Sequence, residues 1–319
     1  MSRGGYRAES FPWGAVKPER RKEKVREMVL AADHDGLWAL LKHHLTTWGK
    51  AGAHTSTNTL RTYRTGLNMF LDYLTRTGLE GEDLLEVLLS PSEDLGAEYL
   101  RHLERSGSSP STVNARRASA TAFYRALKWA GASEANPFLD VPAVKDNTPK
   151  HEKRQPYTDE DVKKMLDAAT EEEKIIIGLG AYAGLRIHEI AKLTWGDVDL
   201  DRKQIRVDGK GGKVARVPIP AGLRALLEAA PKGQGEGVRV VAWERPNTIR
   251  DHIKAVCKRA KVKYRGVHSL RHYAGTYLYR QTKNLDMVAR VLRHSNIETS
   301  RVYAKYGEDM YQDVLDAWK

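Results

Sequence analysis

Six polar residues in the second half of this 319-residue chain have side chains that suit chemistry on a phosphodiester. They are Arg186, Lys210, His268, Arg271, His294 and Tyr303. Guanidinium groups can neutralise a phosphate, imidazoles and amines can move protons, and a phenol can act as a nucleophile. Each residue alone is weak evidence, because these residue types more often serve ion pairs, solvation or packing.

The six residues lie in four short motifs. Arg186 lies in AGLRIHEI, Lys210 in GKGGK, His268 and Arg271 in HSLRH, and His294 and Tyr303 in LRHSNIETSRVYAKY. Two neighbours leave alternatives open. Lys213 competes with Lys210 for the same role. Glu189 lies one helical turn after Arg186, where it either fixes that region by hydrogen bonding or forms a surface ion pair.

Helical patterns position most of these motifs. An apolar stripe from Leu60 to Leu74 follows the capping residues Thr55, Ser56 and Thr57, and a second helix begins at Ser109 and Pro110. After a capped helix at Thr158, a buried helix is expected from Ile175 to about Leu193. The one β signal is a hairpin, in which residues 205–207 and 214–217 flank a glycine-rich turn.

The chain is strongly basic, with 53 Lys and Arg against 41 Asp and Glu and a net charge of +12. This excess favours nucleic acid as the partner over an anionic membrane. The longest apolar run, residues 175–185, is too short to span a bilayer, and the N-terminus lacks the apolar stretch of a signal peptide. The single cysteine, Cys257, cannot form an internal disulfide and suits the cytoplasm.

Proline-rich residues between 136 and 156 divide the chain. We predict a basic N-terminal extension at 1–34, a helical domain at 35–137, a linker at 138–156 and a second domain at 157–319. No cluster of metal-ligating residues and no P-loop is present, so we expect no cofactor. The tail after Tyr303 has the pattern of a short amphipathic helix.

Taken together, the motifs resemble the tyrosine recombinase family, also called phage integrases, with the Xer site-specific recombinases as the most similar group. The match runs from about residue 35 to the end of the chain. AGLRIHEI resembles the family's first-arginine motif, GKGGK its lysine hairpin, and HSLRH its His-x-x-Arg motif. The resemblance implies a mainly α, two-domain DNA clamp: a helical, SAM-like core-binding domain followed by an α+β catalytic domain with a small antiparallel sheet.

The resemblance also implies a role for each residue. Arg186 and Arg271 would bind the non-bridging oxygens, and Tyr303 would form a 3′-phosphotyrosine. His268 would serve as base, Lys210 as acid, and His294 as a hydrogen-bond donor. Arg116, Arg117, Lys213 and Arg293 are the expected DNA contacts. Arg293 departs from the family pattern, which has glycine here, and would be strained if its backbone needs a positive φ.

The implied partner is double-stranded DNA with a specific recombination site. Four protomers would assemble on DNA through the C-terminal tail helix and exchange strands through a Holliday junction. The sequence leaves open a partner recombinase or accessory protein, and chromosome-dimer resolution against integration or excision. Two other functions compete with recombination: a type IB topoisomerase-like enzyme, and a non-catalytic DNA-binding regulator.

Overall fold

The computed structural model describes residues 12–148, 155–208, 214–230, 235, 237–294 and 300–304. The chain divides into two compact units, residues 1–147 and 148–319. The described part is mainly helical and has one small antiparallel sheet, in the second unit. No described helix is both long enough and apolar enough to cross a membrane. The predicted domain boundaries at 34, 137 and 156 stay predictions.

The described residues of the first unit form six α-helices that share one apolar core. They are α1 (Pro18–Leu30), α2 (His34–Thr47), α3 (Thr57–Arg76), α4 (Gly81–Leu89), α5 (Leu95–Arg105) and α6 (Pro110–Trp129). The two long helices begin where the sequence predicts. The Ser56 hydroxyl accepts from the Thr59 amide, and the Ser109 hydroxyl accepts from the Thr112 amide.

Helices α3 and α6 pack closely where Gly66 faces Ser119. A Cβ added to Gly66 would lie 2.3 Å from the Ser119 Oγ and 2.4 Å from its Cβ. Ser119 is fully buried, and its hydroxyl donates to the Ala115 carbonyl at 3.0 Å. The crossing therefore depends on the absence of a side chain at residue 66.

We predict that Gly66→Ala destabilises the first unit. The added methyl overpacks the crossing at a cost of about 1–3 kcal/mol, which exceeds the gain of roughly 1 kcal/mol in helix propensity. Urea unfolding followed by circular dichroism measures the change. Gly14→Ala is the control, because its Cβ would make an ordinary 3.6 Å contact with His43. A Gly66→Ala protein as stable as the wild type would contradict this account of the crossing.

Part of the predicted N-terminal extension, residues 1–34, packs into the first unit. Within that range Trp13, Val25 and Val29 are buried in the core of the first unit. The charge-dense sequence hid this packing, because helix α1 buries only a narrow apolar stripe and exposes its charges. Part of the predicted linker packs there as well: Phe138 is fully buried, and the Val144 amide donates to the Asn114 side chain at 2.9 Å.

The second unit has its own core, built around the buried helix α8. Its helices are α7 (Asp159–Asp167), α8 (Glu171–Ala181), α9 (Ile187–Ile190), α10 (Ala221–Ala229), α11 (Pro246–Arg259), α12 (His268–Thr282), α13 (Leu285–Leu292) and α14 (Arg301–Ala304). The sheet has the order β1–β2–β3, with strands β1 (Val198–Asp199), β2 (Gln204–Asp208) and β3 (Val214–Pro218). The predicted hairpin is strands β2 and β3, paired antiparallel with Ile205 opposite Val217.

One predicted helix is wrong in its extent. The apolar run from Ile175 to Leu193 is not continuous: α8 ends at Ala181, and α9 begins at Ile187. Gly184 lies between them with φ of +63°, and Arg186 is extended with ψ of 150°. Apolar periodicity continues across this break, so the sequence pattern could not reveal where α8 ends. The predicted tail helix lies outside the described residues.

Candidate active site

The break between α8 and α9 presents Arg186 to the site. Arg186 is the N-cap residue of α9, and its backbone amide donates to Glu189 Oε2 at 2.8 Å. Its guanidinium Nη1 donates to Glu189 Oε1 at 3.0 Å. The arginine side chain is one-third exposed. One carboxylate thus orients both the backbone and the side chain of Arg186.

Glu189 is a buried carboxylate, not a surface ion-pair partner. Its side chain is only 2% exposed, and Oε2 also accepts from Arg293 Nη2 at 2.8 Å. Burial alone would raise the pKa of Glu189. The hydrogen bond from the Arg186 amide, the charge of Arg293 and the Arg186 guanidinium outweigh burial and hold this pKa below its usual value. Glu189 therefore remains ionised between two arginines.

Arg271 is the most deeply buried of the candidate cations, with 2% of its surface exposed. It lies in the first turn of α12, where Nη1 donates to the Gly184 carbonyl and Nη2 donates to the Leu292 carbonyl. Burial, followed by the charges of Arg186 and Arg293, lowers the pKa of Arg271 to about 10. The guanidinium is still charged at neutral pH. Its two hydrogen bonds join the segment that carries Arg186 to the segment that carries Arg293 and His294.

Arg293 has the left-handed backbone that the family's usual glycine would suit. It ends helix α13 with φ of 55° and ψ of 48°. A non-glycine residue in this conformation costs roughly 1–2 kcal/mol. The ion pair with Glu189 offsets part of this cost, and the Arg293 side chain is 13% exposed. The sequence predicts strain at Arg293 only if its backbone has a positive φ. The φ of 55° shows that this strain is present.

His294 follows directly and is oriented by a serine. Its Nδ1 lies 2.7 Å from the Ser300 hydroxyl, and Ser300 is fully buried. Burial, then the charges of Arg271 and Arg186, lowers the pKa of His294 to about 4. The imidazole is therefore neutral at pH 7. If the hydroxyl donates to Nδ1, the remaining proton is on Nε2, where it can be donated to a ligand.

Tyr303 is buried beside these groups, with 1% of its surface exposed. Its ring lies over Gly275, where an added Cβ would be 2.4 Å from the Tyr303 Cζ. The His294 ring stacks parallel to the tyrosine ring with centroids 6.2 Å apart, and the His272 ring lies 5.8 Å away. His268 contacts His272 edge to face at 4.8 Å. Two imidazoles, those of His272 and His294, thus lie next to the tyrosine ring.

The predicted site residues divide into three groups. Five of the six candidates converge in the second unit, together with Glu189 and Arg293. Lys210 and Lys213 lie outside the described residues. Arg116 and Arg117 belong to the first unit, where Arg116 donates to the Thr62 carbonyl at 3.3 Å and Arg117 lines a groove of about 690 Å³.

Two residues at the site are absent from the sequence prediction. Ser300 bonds His294 through its hydroxyl, and its carbonyl accepts from the Tyr303 amide at 3.0 Å. His272 lies between the rings of His268 and Tyr303. Helical spacing offered a signal for His272, because it is one turn after His268 on the same face. Sequence spacing offers no such signal for Ser300, which is a turn residue directly before α14.

The low pKa of His294 predicts a pH effect on stability. An unfolded histidine has a pKa near 6.5, so below about pH 6.5 the unfolded chain takes up a proton that folded His294 refuses down to about pH 4. This contribution to the unfolding free energy is therefore complete above pH 6.5 and is lost as the pH falls towards 4. Urea unfolding between pH 7 and 4.5 should show a steeper loss for the wild type than for His294→Gln. If the unfolding free energies of the wild type and His294→Gln fall in parallel with pH, the low pKa of His294 is contradicted.

The fold and site together define a class of enzyme. The second of the two helical units has a small antiparallel sheet, and it carries arginines and histidines near one buried tyrosine, Tyr303. This composition suits phosphoryl transfer through a tyrosine ester, because fixed positive charges stabilise the charge that develops on phosphorus oxygens. The expected fold class and the expected family are both confirmed by the following comparisons.

Residues 156–309 match the model of the phage integrase family, and residues 52–131 match the N-terminal SAM-like domain of phage integrases. The chain belongs to this family of tyrosine recombinases, which cleave and rejoin DNA. It is 30% identical over 220 residues to the tyrosine recombinase XerA of Thermococcus kodakarensis, a match that covers 65% of this chain and 75% of that protein.

Two further comparisons agree. The chain is 28% identical over 282 residues to a tyrosine recombinase of Thermosipho africanus, covering 83% of this chain and 93% of that one. Its fold is similar to that of the lambda integrase tetramer bound to a Holliday junction, with a TM-score of 0.64 and 16% identity over 84% of this chain and 76% of that chain. The likeness to lambda integrase concerns the fold alone.

Proposed function

We propose that this recombinase cuts a specific DNA site with Tyr303, using Arg186, Arg271 and His294 to hold the scissile phosphate. The observation that supports this most strongly is the convergence of these four residues, which are up to 117 positions apart in the sequence. Arg271 donates to the carbonyl just before Arg293 and His294, and the His294 ring stacks beside Tyr303. Three separate segments of the chain, which carry Arg186, Arg271 and His294, thereby supply the side chains that would bind one phosphate.

The reaction is a transesterification. The Tyr303 hydroxyl loses its proton, its oxygen bonds to phosphorus, and the bond from phosphorus to the 5′ oxygen breaks. The leaving oxygen takes up a proton to become a 5′-hydroxyl, and the 3′ phosphate remains on the tyrosine. A 5′-hydroxyl then attacks the phosphotyrosine and restores the diester. The tyrosyl ester conserves the bond, so rejoining consumes no ATP.

The arginines supply the charge that this reaction requires. Attack places extra negative charge on the non-bridging oxygens, and guanidiniums that are already fixed stabilise it without rearranging. Arg186 is fixed by Glu189, and Arg271 by two carbonyls. His294, neutral and oriented by Ser300, donates through Nε2 to the same phosphate. Glu189 acts as a positioning residue.

Proton transfer is assigned to His268 and Lys210. A phenol with a pKa near 10 is a poor nucleophile at pH 7 and needs a base. His268 is the exposed histidine at the start of α12, and its ring is linked to Tyr303 through the His272 ring. Lys210 is the proposed acid for the leaving oxygen, with Lys213 as the competing candidate and otherwise a contact to the DNA backbone.

Covalent trapping tests the nucleophile. A nicked substrate that loses its 5′-hydroxyl fragment on cleavage should accumulate a protein–DNA adduct in the wild type, visible on a denaturing gel. Tyr303→Phe should abolish the adduct, because phenylalanine lacks the attacking oxygen. Tyr277→Phe is the matched control, since Tyr277 is an exposed tyrosine in the same unit. An adduct that persists in Tyr303→Phe would reject Tyr303, and no adduct with the wild type on its own site would reject the mechanism.

The first unit is proposed to hold the DNA backbone. The groove that contains Arg117 is also lined by Lys50, Arg125 and Lys128, and by Trp48, which is 65% exposed. Clustered cations release counterions from DNA on binding, so they provide affinity without reading sequence. Arg116 contributes less directly, because one of its nitrogens holds the Thr62 carbonyl.

Strand exchange is proposed to occur in a tetramer on two duplexes, through a Holliday junction. Lambda integrase forms such a tetramer on such a junction, and its fold is similar. The tail after Tyr303 is the proposed contact between protomers, and the partner could be a second recombinase or an accessory protein. The free Cys257 is consistent with a cytoplasmic enzyme.

A strand-transfer assay tests the exchange. Two labelled duplexes that carry the site should yield Holliday junctions and recombinant products, because each 5′-hydroxyl can attack the phosphotyrosine of the other duplex. A type IB topoisomerase-like enzyme would relax supercoiled DNA and reseal its own strand. Relaxation without any joined product from two sites would therefore support the topoisomerase alternative over exchange.

A further inference from the structure

The Arg293 guanidinium has hydrogen-bonding capacity that its ion pair does not use. Nη2 donates to Glu189 Oε2 at 2.8 Å. Nε and Nη1 are buried, and neither has a hydrogen-bond acceptor among the described residues. Buried N–H groups are nearly always paired, because leaving one without an acceptor forfeits its hydration. Among the described residues, these two nitrogens therefore have donor capacity that a ligand can use.

The position of Arg293 beside the phosphate-binding group is fixed by its neighbours. The carbonyl of Leu292, the preceding residue, accepts from Arg271 Nη2. The carboxylate that holds the Arg293 guanidinium is the one that holds Arg186. Arg293 is thus tied through its backbone to one phosphate-binding arginine and through its side chain to the other.

The local charge also favours an anion. The Glu189 carboxylate bonds to two guanidiniums, those of Arg186 and Arg293, while the third, Arg271, bonds only to neutral carbonyls. His294 adds no charge at neutral pH. The arginines repel one another, which is part of why the pKa of Arg271 is lowered. A cluster of this kind is stable when a negative ligand enters it.

A structural ion pair alone does not account for this arrangement. Glu189 already accepts two hydrogen bonds from Arg186, one on each carboxylate oxygen. A glycine at residue 293 would adopt the left-handed backbone without strain. This chain instead has a strained, partly buried arginine there, and two of its donor nitrogens form no hydrogen bond to Glu189.

We propose that Arg293 is a third phosphate-binding arginine of the cleavage site, which donates from its remaining nitrogens to a non-bridging oxygen of the scissile phosphate while Nη2 stays on Glu189. The inference rests on the proposed function, because it assigns a further ligand to the same phosphate. It makes Arg293 more than a contact to the DNA backbone. Its contribution is greatest when negative charge develops on that oxygen during attack by Tyr303.

The test measures the rate of adduct formation on the nicked substrate for the full chain. Arg293→Gly removes the charge and restores the residue that suits this backbone, so the variant is expected to fold; its thermal unfolding is measured alongside. We expect adduct formation to slow roughly a hundred- to a thousandfold, as when one donor to a developing oxyanion is removed. Arg293→Lys should recover part of the rate by keeping the charge.

Lys283→Gly is the matched control. Lys283 ends helix α12 with φ of 54°, so its replacement removes the same charge from another strained helix end. We expect this variant to form the adduct at the wild-type rate. A loss as large as that of Arg293→Gly would show that any such change slows cleavage, and it would overturn the assignment.

A second substrate separates direct contact from positioning. Here a methyl group replaces one non-bridging oxygen of the scissile phosphate, which removes its negative charge. If Arg293 neutralises that charge, the slowing caused by Arg293→Gly should shrink at least severalfold on this substrate. Equal slowing on both substrates would mean that Arg293 only positions Glu189, and no slowing on either would mean that it takes no part. Both results overturn the proposal.

The outcome also distinguishes this proposal from the function on which it rests. A wild-type adduct that Tyr303→Phe abolishes supports the proposed function whatever Arg293→Gly does. Absence of a wild-type adduct rejects the proposed function, and the role of Arg293 is rejected with it. An adduct in the wild type that forms equally fast in Arg293→Gly rejects only the role of Arg293.

Discussion

The candidate active site depends on one buried guanidinium. Arg271 donates to the carbonyl before Leu185 and Arg186 and to the carbonyl before Arg293 and His294. Two segments more than a hundred residues apart thus meet at a side chain of helix α12. A carbonyl is a neutral acceptor, so these bonds hold the arginine in place without cancelling its charge. The same residue can therefore organise the site and remain available to an anion.

Glu189 offsets part of the repulsion between the arginines of the site. Its carboxylate is buried and ionised, and it accepts from both Arg186 and Arg293. One negative charge is enough to fix two guanidiniums but too little to neutralise three. The pocket is thus preorganised and still electropositive. Under this condition fixed charges stabilise a transition state better than water would. The buried Tyr303 is close enough to Arg271 to influence its pKa.

Much of the fold followed from local signals. Ser56 and Ser109 cap the helices that they were expected to cap, and the hairpin pairs as its alternation indicates. The failures have physical causes. Apolar periodicity passes across Gly184 without marking the break that presents Arg186, and charge density concealed the stripe through which Val25 and Val29 enter the first core. Ser300 was missed because it is a turn residue outside any periodic element, so its spacing does not predict its bond to His294.

The sequence by itself determined the family, the residue types of the site and the helices that carry them, because motifs and periodicity are local properties of the chain. Only the tertiary structure decided that Glu189 is shared by two arginines, that Arg293 has a left-handed backbone, and that His294 is neutral beside Ser300. These features arise from burial and from contacts between distant segments. The charge of a group depends on everything packed around it, and the order of residues along the chain does not contain that information directly.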